Sequence, residues 1–182
     1  MTAKVYHTSL LLSIATATIV LGSACAVGTL SGNAVPLSEI DAPPTSRSSF
    51  DEAFIFIASS NIPTWCILVS GVLSFGLTTV VGAFGLGLYL GLSFAISVNA
   101  IGLRAAIGST WAYSPFEFFG LFLASVVGIF PTFILLMQRD DTGVSFAARW
   151  WLAVKSTFPF VLTSFALIWT GILIEALVVS NT

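Results

Sequence analysis

Two carboxylates stand in runs otherwise nearly free of polarity: Glu117 in SPFEFFGLFLASVVGIF, residues 114–130, and Glu175 in GILIEALVV, residues 171–179. An acid in such surroundings can hold an ion or a proton, or fix the order of packed helices through a polar contact. Either use requires a partner. Other chemistry is thinly represented. The single histidine, His7, lies beside the N-terminus, which removes H-E-x-x-H zinc chemistry and a Ser-His dyad deep in the fold. No G-x-S-x-G elbow occurs, and a cysteine nucleophile would lack a nearby base. Cys25 and Cys66 lie in separate apolar runs without metal-ligand spacing and read as small hydrophobes. No enzyme activity, metal or cofactor is expected.

The two acids take their meaning from the solvent around them. Only 8% of the residues are charged and 57% are hydrophobic, with a mean hydropathy of +1.02. A soluble domain carries about 25% charged residues to cover its surface. This chain must turn apolar surface towards hydrocarbon instead, and the expected fold is an all-α bundle of membrane-spanning helices. The net charge of −2 gives no nucleic-acid signature. The expected surroundings are the lipid bilayer, with other membrane proteins or further copies of the chain.

Hydrophobic length sets the elements, since roughly 20 residues cross the hydrocarbon. Residues 1–30 form an N-terminal anchor whose apolar run is 8–30. Lys4 and the sequence Ala24-Cys25-Ala26 also imitate a signal peptide, and the retained anchor is the reading adopted. Residues 31–61 are expected to form a polar loop, with Pro36, Pro43 and Pro44, followed by a short interfacial helix. Ser49 and Glu52 have capping-box spacing at its start. Asn61 and Pro63 should end it, because proline disfavours helical geometry in the residue before it. Residues 62–182 should form four further spans. The apolar stretch 63–101 is too long for one crossing of ~30 Å, and glycines 82 and 85 suggest a tight join at 81–84. The fourth span covers 116–138. A turn at 139–143 and an interfacial patch at 145–155 lead to the fifth span, 158–179.

Five crossings with the N-terminus in the cytoplasm place Lys4, Arg139, Arg149 and Lys155 inside, and only Arg47 and Arg104 outside. Both glutamates then fall at the outer level, near Arg104 and Asn61. Ser114, Pro115 and Glu117 have the spacing of a second capping box. Glu117 is therefore expected to accept backbone N–H groups or to meet Asn61, and Glu175 to meet Arg104. Small-residue stripes on the third span (Gly87, Gly91) and the fourth (Gly120, Ala124, Gly128) should bring helices into close contact. Trp111, Trp150 and Trp151 suit interfacial anchoring.

The order of features resembles the stage II sporulation protein M family of membrane proteins. The residues that carry the likeness are FIFIASSNI (54–62), Gly87-Leu88-Tyr89-Leu90-Gly91, Pro115-Phe116-Glu117-Phe118-Phe119 with Ala124 and Gly128, and Ile174-Glu175-Ala176. The chain reads Ser60-Asn61 where that family often has Asn-Asn. The resemblance implies a five-span, non-enzymatic accessory or scaffold subunit of a cell-membrane complex. The alternative is the membrane subunit of a transporter or exporter. No P-loop is present, so such a subunit would take its energy from a partner ATPase. A cavity reaching Glu117 or Glu175 would favour transport; sealed carboxyls would favour the scaffold.

Overall fold

The computed structural model describes residues 3–34, 49–138 and 143–181. Arg47, the loop prolines and the turn residues 139–142 lie outside the described residues. Regular structure among the described residues is helical throughout: α1 (Ala3–Gly32), α2 (Phe50–Val69), α3 (Leu77–Ile101), α4 (Leu103–Thr110), α5 (Ser114–Met137) and α6 (Phe146–Ser180). Among the described residues five helices are long and apolar enough to cross a membrane, all but α4.

Helix α2 starts with the expected capping box. The Ser49 hydroxyl accepts from the Glu52 N–H at 3.3 Å, and the Glu52 carboxylate accepts from the Ser49 N–H at 2.9 Å. The helix does not end at Asn61, however. It runs through Pro63 to Val69, so the expected interfacial helix is the first half of the second span. Proline is tolerated inside spans where neighbouring groups take over the freed backbone partners. Beside the proline, the Thr64 hydroxyl adds a bond to the Ser60 carbonyl at 2.9 Å.

The join between the second and third spans is also displaced from 81–84. A short 3₁₀ turn at Ser70–Val72 leads to Phe75 and Gly76, both with positive φ (54° and 84°), and the chain reverses there. Glycine meets such a backbone at little cost, whereas Phe75 is strained. Its ring packs on Trp150, 4.6 Å between centroids. Gly82 and Gly85 thus lie within α3.

Helix α6 is a single helix of 35 residues, about 52 Å at 1.5 Å per residue. That exceeds the hydrocarbon thickness, and the patch expected at 145–155 is the first part of this same helix. It carries Arg149 and Lys155, the latter 5.2 Å from the Trp151 ring centre.

Helix α5 is the centre of the bundle. Some 61% of its apolar stretch is buried, more than twice the share in any other span. Helices α1 and α3 run parallel along one side of it, and α2 packs with α6 on the other. The α1–α3 contact is close. A Cβ at Gly91 would overlap the Cys25 carbonyl oxygen, and one at Gly87 would lie 2.7 Å from the Leu21 carbonyl oxygen. Gly28 and Gly32 reciprocate against Leu88 and Leu92. Gly120 meets Ile168 of α6, Ala124 is fully buried, and Gly128 admits the Thr79 hydroxyl as it donates to the Leu68 carbonyl. Across α2 and α6, the Trp65 indole N–H donates to the Ser164 hydroxyl at 3.0 Å, and Phe54 stacks on Trp169. Trp169 is therefore an internal packing residue.

These pairings spread α2 and α3 into a V. At the closed end Gly82 lies against Ile67 and Leu68. Towards the other end, α3 leans on α1 and α2 leans on α6. The space between them is floored by α5.

Candidate functional site: a carboxyl pair on an apolar groove

The V encloses a groove of about 1410 Å³, half open at the surface. Its walls are apolar for most of their area, with Leu21 and Ala26 from α1, Ile57 from α2, Leu86 and Leu90 from α3, and Leu121 from α5. Near the end where α5 begins, the polar groups gather: Ser60, Asn61, Ser114, Glu117 and Glu175.

Glu117 does not act as a helix cap. The N-cap position of α5 is Tyr113, with no side-chain cap, and Ser114 is already helical. The Glu117 N–H bonds instead to the Tyr113 carbonyl at 3.3 Å. This leaves its side chain to turn into the bundle, where the Asn61 amide donates to Oε1 at 2.6 Å. On its other side, the Glu175 carboxyl lies beside that of Glu117, and the Tyr113 hydroxyl lies beside Glu175. Burial first, then the Glu175 and Glu117 carboxyls, push the Tyr113 phenol up to about 12. The phenol therefore keeps its proton at neutral pH and serves as a donor. Two adjacent carboxylates repel each other in a half-buried site, and a single proton on the pair relieves that repulsion. Both glutamates are half-buried.

Arg104 has no part in this arrangement. It is exposed on α4, a short helix that buries only Ala106, and Glu175 finds Glu117 and Tyr113 in its place. The structure thus joins Asn61, Glu117 and Glu175 and leaves Arg104 outside. No protein family, curated protein or solved structure matches this chain. The arrangement stands on its own geometry.

Sequence reasoning missed two members of the site. Tyr113 reads as a loop residue ahead of a cap, and it enters because the helix begins one residue earlier than the cap pattern implies. Gly171 is the other. It lies four residues before Glu175, on the same face of α6, and it is buried against Glu117. A Cβ there would overlap Glu117 Cγ and lie 3.2 Å from the Glu117 N–H nitrogen. Glycine one turn from an intramembrane acid was the available signal. Gly171→Ala is expected to cost about 1 kcal/mol by over-packing and to push Glu117 off Asn61. In a Glu117→Ala background, unfolding measurements should show little or no further cost from that substitution.

Proposed function

We propose that this chain is the ligand-binding membrane subunit of a transporter or exporter in the cell membrane. The single observation that carries the reading is the groove: it is open and it reaches Glu117 and Glu175, whereas a scaffold needs no cavity beside its buried acids. Intramembrane acids are costly and are kept where ions, protons or ligands are handled. Pockets of this kind pair a mostly apolar lining with a few convergent polar groups.

The proposed orientation puts the N-terminus in the cytoplasm. Lys4, Arg149 and Lys155 lie at one end of the bundle and Arg104 at the other, which supports it. The carboxyl pair then sits towards the extracytoplasmic leaflet. The resemblance to the stage II sporulation protein M family supports a second reading, an accessory subunit in which a partner covers the groove.

Cys25 lines the groove, while Cys66 is exposed on α2. In a Cys66→Ser chain held in oriented vesicles, a water-soluble maleimide is expected to label Cys25 from the extracytoplasmic side alone. Absence of labelling from either side would overturn the open-groove reading. Labelling that appears only after a co-purifying membrane protein is stripped away would establish the accessory reading instead.

A further inference from the structure

The groove has an asymmetric chemistry that narrows what it can hold. Its aromatic lining comes from three helices: Phe56 of α2, Tyr89 and Phe94 of α3, and Phe118, Phe119 and Phe122 of α5. Its carboxyl oxygens belong to Glu117 and Glu175, and among the described residues no Lys, Arg or His lines it. An anionic or phosphate-bearing ligand would find no counter-charge there. A cation spread over apolar groups would find both a carboxyl pair and aromatic faces, which attract cations through the ring quadrupole.

We propose that the groove is a binding site for amphiphilic organic cations, which exchange with the proton shared by Glu117 and Glu175. This inference rests on the ligand-binding reading above and names the ligand class. In the empty groove one carboxyl O–H bridges the two acids. When the cation enters, that O–H bond breaks and the proton leaves to water at the Ser114 end; the cation takes the place of the proton, and the site keeps a single net negative charge. Asn61 and Tyr113 remain as donors to the two carboxylates. The other titratable groups on the groove walls are Cys25 and Tyr89.

The test uses the full chain in phosphatidylcholine nanodiscs, with tetraphenylphosphonium as the cation and triphenylphosphine oxide as a neutral probe of similar shape. Calorimetry in two buffers of different ionisation heat counts the protons released. The cation is expected to bind at least tenfold tighter than the neutral probe, releasing close to one proton, and to weaken as pH is lowered. Glu117→Gln and Glu175→Gln should each weaken the cation tenfold or more, abolish proton release and leave the neutral probe unchanged. Equal affinity for the two probes, no proton release, or full cation affinity in both variants would overturn the exchange while leaving a ligand-binding groove in place. Binding of neither probe would overturn the groove reading as well. Should the Gln variants fail to assemble, the proton count and pH dependence of the unaltered chain decide the matter alone.

Discussion

Replacing Gly91 by leucine is expected to destabilise the protein by about 3 kcal/mol, the upper end of ordinary over-packing. The reason is where the added atoms would go. A Cβ at Gly91 overlaps the Cys25 carbonyl oxygen and lies 2.8 Å from the Thr29 nitrogen, so it meets backbone that cannot rotate away. The helices would have to separate along their whole contact, because Gly28, Gly32 and Gly87 depend on the same spacing. In membranes that spacing matters more than in water, since helix association rests on close packing rather than on escape from solvent. Gly85 supplies the control, six residues earlier on the same helix. Nothing lies within 4 Å of a Cβ placed there, and leucine is the better helix former by several tenths of a kcal/mol. Gly85→Leu should therefore be neutral or slightly stabilising in reversible unfolding from mixed micelles. Equal costs at both positions would show that glycine is needed along α3 for some reason other than contact with α1.

The contrast between Gly85 and Gly91 also explains what could be read in the sequence. The membrane class and five long apolar helices follow from composition and length, which the bilayer constrains tightly. Boundaries inside those stretches do not follow, because glycine and proline mean different things in lipid. Gly82 and Gly85 look like a turn, yet they lie within α3, and the actual reversal uses Ser70 to Gly76 with Phe75 in a left-handed conformation. Pro63 looks like a helix end, but α2 runs through it to Val69. The surface patch before Phe158 has the composition of an interfacial helix. It is continuous with the span because nothing between Lys155 and Pro159 breaks the backbone.

The site divides in the same way. Levels along the bundle are legible from the order and length of the helices, and Asn61, Glu117 and Glu175 share one. Rotation about each helix axis is not legible. Arg104 has a suitable level, but α4 carries it on an exposed face. Glu117 has the spacing of a cap, but its side chain turns inward because Gly171 leaves room for it. Local pattern and tertiary space compete at this residue, and tertiary space wins.

The Asn61–Glu117 contact offers the sharpest measurement of that outcome. Neutral hydrogen bonds between membrane helices average only about 0.6 kcal/mol, with a maximum near 1.7. Bonds involving a charged partner are worth roughly 1.5–3. The contact here is short, 2.6 Å, and its acceptor is a half-buried carboxyl with a second acid beside it. Asn61→Leu keeps the size of the side chain while removing the donor, and it is expected to cost about 2 kcal/mol, between the two ranges. Asn61→Asp should cost more, because it places a third carboxyl beside two others. The decisive comparison is a cycle with Glu117→Leu. If the amide serves the carboxyl, Asn61→Leu should cost little once Glu117 is gone, since an asparagine left unpartnered beside a leucine stabilises nothing. If the cost is the same with and without Glu117, then Asn61 supports α2 by packing alone, and the carboxyl pair is held in the groove by Tyr113 and α6 without help from α2.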